Sequence, residues 1–73
     1  MRTLDTLKLD DIAKIEIIQC DENIKRRLLD LGLVKGTYIK PVLVSPSKDP
    51  RAFEVRGSVI AIRKEDAEKI QIY

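Results

Sequence analysis

The sequence contains no histidine, no tryptophan and only one cysteine. Histidine is the commonest general base near neutral pH and the commonest protein ligand for transition metals, so its absence removes most hydrolytic and zinc-site chemistry. Cys20 cannot form a thiol–imidazole pair or an intramolecular disulfide. We therefore predict that the protein is not an enzyme and has no catalytic residues, no cofactor and no metal ligands of its own.

Long apolar runs are also absent. No segment approaches the roughly 18 to 20 apolar residues that span a bilayer, and the N-terminal MRTLDTLKLDD lacks the apolar stretch of a signal peptide. These absences predict a cytoplasmic protein without direct membrane insertion. With 73 residues, of which 44% are hydrophobic, the chain is expected to form one domain, 1–73, around a single small core that is mainly aliphatic.

No block of charge of one sign occurs. The 14 basic and 12 acidic residues are scattered, whereas nucleic-acid binders usually show a concentrated basic stripe. We expect no nucleic-acid partner, although a basic face remains an alternative. Its members would be Lys25, Arg26, Arg27, Lys35, Lys40, Arg56, Arg63 and Lys64.

Carboxylates occur in three adjacent pairs, and one thiol is present. We interpret the carboxylates as solvated surface groups, with weak binding of a hard cation as the alternative. Cys20 precedes a helix start, where its pKa could be lowered, but a buried inert thiol is the more common case. The carboxylate pairs are Asp10-Asp11, Asp21-Glu22 and Glu65-Asp66.

Periodicity in the first half predicts a strand followed by one amphipathic helix. Ala13, Ile15 and Ile17 alternate with charged residues, as in a strand with one buried face. Asp21 then occupies an N-cap position, and apolar residues follow at helical spacing from Ile24. The helix is therefore expected to lie between the first two strands.

Two glycines four residues apart follow this helix. Gly32 is predicted to end it in the left-handed conformation, with Leu33 supplying the apolar contact of a Schellman cap. Gly36 fits the third position of a type II turn over residues 34–37. A phosphate-binding loop is excluded because such a loop follows a strand and opens a helix. Both glycines are therefore interpreted as structural turns.

The second half predicts strands joined by turns. Pro41 cannot donate to a ladder, so its strand should be an edge or contain a bulge. We predict a mobile hairpin tip at residues 45–50, SPSKDP. We also predict a two-residue type II′ turn at Gly57-Ser58, followed by a return strand over residues 59–62. KEDAEK, residues 64–69, predicts one helical turn before a last strand.

The complete pattern is mainly β. About five short strands, one helix between the first two and a helical turn before the last predict a small antiparallel barrel. Without a catalytic constellation, the sequence best fits a protein whose surface binds another protein.

The helix exit offers apolar residues outside the strict core stripe. Leu29, Leu33 and Val34 lie beside Arg26 and Arg27, and apolar side chains rimmed by arginine are typical of interface anchors. These five residues are the predicted partner-binding site. The alternative is that both leucines belong to the core, because helices of small domains often bury wide apolar stripes.

The order of the motifs resembles the FeoA family, the small ferrous iron transport protein A domains. RRLLDLGLVKGTYI, SPSKDP and EVRGSVIAIRKEDAEKI carry the resemblance, which extends from about Leu4 to Ile72. It implies an SH3-like barrel that acts beside the membrane transporter FeoB in bacterial Fe(II) uptake, by binding and modulating the transporter's cytosolic GTP-binding domain. The positions that match the family pattern are mostly architectural: Leu28, Gly32, Leu33, Gly36, Arg56, Gly57, Ile62, Arg63, Ala67 and Ile70.

Two other functions stay open beside this one. An SH3-like accessory domain of an iron-dependent repressor would need a preceding helix-turn-helix, for which 73 residues leave no room. A small barrel that binds nucleic acid would use the basic residues. Weak homo-oligomerisation and weak binding of a transition metal ion at surface carboxylates are compatible with each of them.

Overall fold

The computed structural model of the chain describes residues 2–9, 11–43 and 49–73. Its strands form one antiparallel sheet in the order β1-β6-β2-β3-β4-β5, which does not close into a complete barrel. This mainly β architecture with two short helices was predicted. The strands are β1 (Arg2–Thr3), β2 (Ala13–Ile18), β3 (Tyr38–Leu43), β4 (Arg51–Val55), β5 (Ser58–Ile62) and β6 (Ile70–Ile72), and the helices are α1 (Glu22–Asp30) and α2 (Lys64–Ala67).

The first strand was not predicted. β1 has two residues, too few to show any periodicity, and exists because it pairs with the last strand: Arg2 lies opposite Ile72 and Thr3 opposite Gln71. The Arg2 guanidinium Nη1 also donates to the Tyr73 carbonyl at 2.9 Å. β6 therefore lies between β1 and β2.

The buried residues form one aliphatic core around a single phenylalanine. Phe53 is fully buried, and a 3₁₀ turn over Leu4–Thr6 places Leu4 in the same cluster. From α1 only Leu28 is buried, so the helix covers one side of the core and leaves most of its surface exposed.

Both ends of α1 have the predicted chemistry. The Asp21 carboxylate accepts a hydrogen bond from the Ile24 N–H at 3.0 Å, which satisfies a donor at the helix start. At the other end the Leu33 N–H donates to the Leu28 carbonyl at 2.9 Å, and the Gly32 N–H to the Leu29 carbonyl at 3.0 Å. These two bonds, with φ +99° at Gly32, constitute the Schellman cap.

The second glycine forms the predicted type II turn. The Thr37 N–H donates to the Val34 carbonyl at 3.0 Å, and Gly36 has φ +88°. The Gly36 N–H also donates to the Ile15 carbonyl at 2.7 Å. The turn is thereby bonded to β2, and the chain enters β3 beside it.

Pro41 lies at a bulge, one of the two predicted settings. It pairs with Phe53, and the β3–β4 register shifts between Pro41 and Leu43. β3 is not an edge strand, because β2 and β4 flank it. The hairpin tip predicted at residues 45–50 lies outside the described residues except for 49 and 50.

The predicted turn between β4 and β5 was wrong by one residue. Val55 pairs with Ser58, so the two loop residues are Arg56 and Gly57, and β5 begins at Ser58. Both have positive φ, +53° and +83°, which is the type I′ and not the type II′ pattern. Continuous pairing of β4 with β5 decides the register and holds an arginine in the left-handed region.

Candidate partner-binding site

A groove between α1 and β2 carries three exposed aliphatic side chains. Ile17 is 44% exposed, Leu29 42% and Val34 40%. They line a concavity of about 250 Å³, which we call the α1–β2 groove. Exposed apolar side chains clustered around one concavity are typical of an interaction site. The lining residues are Ile15, Glu16, Ile17, Ile18, Lys25, Leu29, Leu33, Val34 and Lys35.

Ile17 was expected to be buried and is not. The β2–β6 register shifts between Ile15 and Ile17, and this bulge interrupts the alternation, so that Ile18 turns inward in its place. The adjacent isoleucines are the only trace of this bulge in the sequence. A residue of the groove was therefore missed because its exposure depends on pairing with a distant strand.

The assignment of Leu33 to the exposed surface is corrected. Its exposed fraction is 0%, because the chain reverses at Gly32 and directs the next residue into the core. Leu33 therefore belongs to the helix cap and forms part of the groove's floor. Leu29 and Val34, the other two apolar residues of the predicted site, are exposed in the groove as expected.

The two predicted arginines lie elsewhere on α1. Lys25 stands one helical turn before Leu29 and shares its face, whereas Arg26 and Arg27 are rotated away from it. Arg27 lines a different concavity, between α1 and the start of α2. The cations of the groove are therefore Lys25 and Lys35.

The carboxylate pairs have ordinary structural surroundings. Asp21 caps α1, the Asp11 carboxylate accepts from the Lys8 N–H at 3.0 Å, and Glu65 lies 3.6 Å from the Arg63 guanidinium. Within the part of the chain that the structure describes, no three residues of the metal-ligating types come together. Asp10 lies outside the described residues.

The basic residues are distributed over separate elements. Three lie on α1, and the others lie in the turn before β3, on β3, in the β4–β5 turn and at the start of α2. The Arg56 side chain lies over Gly32, where its Cδ would be 2.9 Å from a Cβ built on the glycine. Arg56 therefore packs against the end of α1.

Cys20 is a buried free thiol whose pKa is raised. Its exposed fraction is 9%, and its Sγ lies 3.6 Å from the Asp66 carbonyl as a hydrogen-bond donor. Burial is the largest cause of the raised pKa, followed by the negative charge of Asp66, and Lys69 opposes the effect. Of the two readings left open by the sequence, the inert thiol is the one that the structure supports.

We expect Cys20 to react slowly with iodoacetamide at pH 8, about tenfold more slowly than in the urea-unfolded chain, because the thiolate is the nucleophile. Mass spectrometry of timed samples measures both rates. Since the folded pKa lies above the unfolded value of 9.0, the thiol's contribution to stability is present below that pH and is lost as pH rises through the folded pKa. Equal rates in the two states would contradict the burial of the thiol.

Among the described residues, both α-helices are too short to span a bilayer, since α1 has nine residues and α2 has four. The FeoA domain family model matches residues 2–73. The chain belongs to the FeoA family. FeoA domains are small accessory domains and are not known as an enzyme family.

Solved FeoA structures share the fold of this FeoA domain. The FeoA protein of Chlorobium tepidum superposes with a TM-score of 0.94 and 32% identity, covering 99% of this chain and 69% of that one. Stenotrophomonas maltophilia FeoA, a prokaryotic SH3 domain protein crystallised with zinc, superposes with a TM-score of 0.86 and 30% identity. That match covers 100% of this chain and 91% of the other. The SH3-like prediction is thus confirmed.

A fusion protein of Porphyromonas gingivalis, Fe(2+) transport protein A joined to the Fe(2+) transporter FeoB, is 30% identical to this FeoA domain over 69 residues. The match covers 94% of this chain but only 8% of the fusion protein. A manganese-dependent transcriptional repressor has a TM-score of 0.84 at 12% identity, which shows a common fold and nothing more.

Proposed function

We propose that this protein is a cytoplasmic accessory regulator of bacterial ferrous iron uptake that binds the cytosolic GTP-binding part of a FeoB-type transporter through the α1–β2 groove. The exposed aliphatic side chains of Ile17, Leu29 and Val34 around one concavity are the observation that carries the proposed surface. The fusion protein of P. gingivalis supports the choice of partner, because it joins transport protein A to FeoB in one chain.

The groove has the chemistry of a modest interface. Burying the three aliphatic side chains against a partner contributes about 25 cal/mol of binding free energy per Å² of apolar area. Truncating any one of them should therefore weaken the binding free energy by about 1 to 2 kcal/mol. The described charged residues of the groove are two cations, Lys25 and Lys35, and one carboxylate, Glu16. An acidic rim on the partner would therefore be favoured and would accelerate association at low salt.

The proposal predicts that Leu29→Glu and Ile17→Glu each weaken binding to the isolated cytosolic domain of FeoB by about tenfold or more, because each places a charge in a contact that excludes water. Titration calorimetry measures the Kd, and hydrolysis of GTP in the same mixture shows whether binding alters turnover. Both side chains are already exposed, so the melting temperature should fall by only a few degrees.

Ile12→Glu is the matched control. Ile12 is 60% exposed and lines a different concavity beside Tyr38, so the same charge is introduced outside the groove. We expect the control to retain the parental Kd. If both groove variants bind as the parent does, or if only the control is impaired, the α1–β2 groove is not the contact surface.

A further inference from the structure

Another concavity, of about 410 Å³, lies where the segment after the 3₁₀ turn meets the start of β4, the end of β5 and α2. Its apolar surface comes from Leu9 and from the buried residues Leu7, Ile62 and Ala67. Its charged groups are Lys8, Arg51, Lys64 and Asp5. We call this concavity the basic pocket, and it shares no lining residue with the α1–β2 groove.

Arg51 is the least satisfied polar group of the basic pocket. Its guanidinium lies over the Phe53 ring, with Cζ 5.3 Å from the ring centroid, and Nη1 reaches the Asp5 carbonyl at a long 3.4 Å. Its Nε is enclosed and has no acceptor among the described residues. A guanidinium offers five N–H donors in a planar fork, and only the Nη1 donor bonds to a described residue. A partly buried, under-satisfied arginine is a preformed position for an anion.

The other charges leave a positive excess. Neither Lys8 nor Lys64 makes an ion pair with any residue that the structure describes. Among the described lining residues Asp5 is the single acid, and its carboxylate accepts a hydrogen bond from the Thr3 hydroxyl. The Asp49 carboxylate accepts the backbone N–H of Lys64 at 2.9 Å and is not among the lining groups. The described residues of the basic pocket thus combine three cations and one acid with an apolar floor.

We propose that the basic pocket binds a carboxylate carried on a short aliphatic chain. The carboxylate accepts hydrogen bonds from the terminal nitrogens of Arg51 and is flanked by the ammonium groups of Lys8 and Lys64, while the aliphatic part packs on Ile62 and Ala67. Fork-shaped pairing with arginine favours a planar carboxylate. The ligand is either a free small acid or the acidic side chain of a polypeptide segment. This site is independent of the groove and of FeoB binding.

Two probes separate these sources. Hexanoate represents the free acid, with hexanamide as its uncharged control, and acetyl-Leu-Glu-Leu-amide represents a polypeptide, with the Gln peptide as its control. We expect saturable shifts of the Leu7, Ile62 and Ala67 amide resonances in ¹⁵N-labelled protein with a charged probe and not with its control. Hexanoate binding identifies a free acid as sufficient, whereas binding of the Glu peptide alone identifies a segment. Added salt should weaken either interaction.

Variants assign the contact to the basic pocket. Arg51→Met keeps apolar volume over Phe53 and should raise the probe's Kd about tenfold, and Lys8→Gln with Lys64→Gln should do the same. The two lysines are exposed, so their double variant decides the question if Arg51→Met fails to fold. Lys25→Gln, which removes a lysine charge outside the basic pocket, is the matched control and should leave the probe's Kd unchanged. Absence of binding by both probes, equal binding of the uncharged controls, or an unchanged Kd in the lysine double variant would overturn the proposal.

Discussion

Leu33→Glu is expected to unfold the domain, while Leu29→Glu, four residues earlier, leaves it folded. Leu33 is fully buried and Leu29 is exposed. An unpaired carboxylate in the core costs several kcal/mol or forces the side chain out of its site. Native domains have only about 0.05 to 0.15 kcal/mol of stability per residue, so a chain of this length has roughly 4 to 11 kcal/mol to lose. Circular dichroism and urea unfolding measure the difference.

A graded version of the same comparison uses alanine. Leu33→Ala should cost about 2 to 5 kcal/mol in the free energy of unfolding, and Leu29→Ala less than about 1 kcal/mol. The order of the two values tests whether the chain reverses at Gly32 as described. Equal costs for the pair, or a Leu33→Glu protein that melts cooperatively near the parental temperature, would show that Leu33 does not lie in the core.

The second large effect is expected at the end of α1. Gly32→Ala should destabilise the domain by about 2 to 3 kcal/mol and Gly36→Ala by about 1 to 2 kcal/mol. Both glycines have positive φ, so any side chain is strained at either position. Only at Gly32 does the added Cβ meet another atom, Cδ of Arg56, at 2.9 Å, whereas the space beside Gly36 is open. Urea unfolding of both variants under the same conditions measures the difference.

A double-mutant cycle separates the strain from the clash. If the Arg56 side chain is responsible for the additional cost, Arg56→Ala should bring Gly32→Ala close to the cost of Gly36→Ala, because a smaller side chain leaves room for the Cβ. Arg56→Ala should not rescue Gly36→Ala. Additive effects of Gly32→Ala and Arg56→Ala would show that the close approach contributes nothing.

The turns around α1 could be predicted from the sequence because their causes are local. A carboxylate at Asp21 and a glycine at each of positions 32 and 36 specify the caps and the turn, whatever the remainder of the chain does. The exposure of Ile17 could not be predicted, since it results from a bulge against β6, whose residues lie more than fifty positions away. The left-handed conformation of Arg56 could not be predicted either, because the pairing of β4 with β5 overrides the preference of a non-glycine residue for negative φ.

The candidate site could be predicted only in part, because some of its features have local causes and others depend on the path of the chain. Helical spacing places Leu29 on the surface next to Val34, but the direction of Leu33 is decided by the path after Gly32, which spacing alone does not specify. The basic pocket had no sequence signature, because Lys8, Arg51 and Lys64 come from three separate segments. They come together where the segment after the 3₁₀ turn and α2 pack beside the start of β4.

The position of β6 between β1 and β2 has a consequence for how the chain folds. The β3–β4–β5 part of the sheet is assembled from strands adjacent in sequence, so its contacts close short loops. The other part, β1–β6–β2, needs the first and last strands together, and its pairing must wait until the C-terminal strand has been synthesised. A nascent chain therefore holds its N-terminal strand unpaired until translation of the domain is complete.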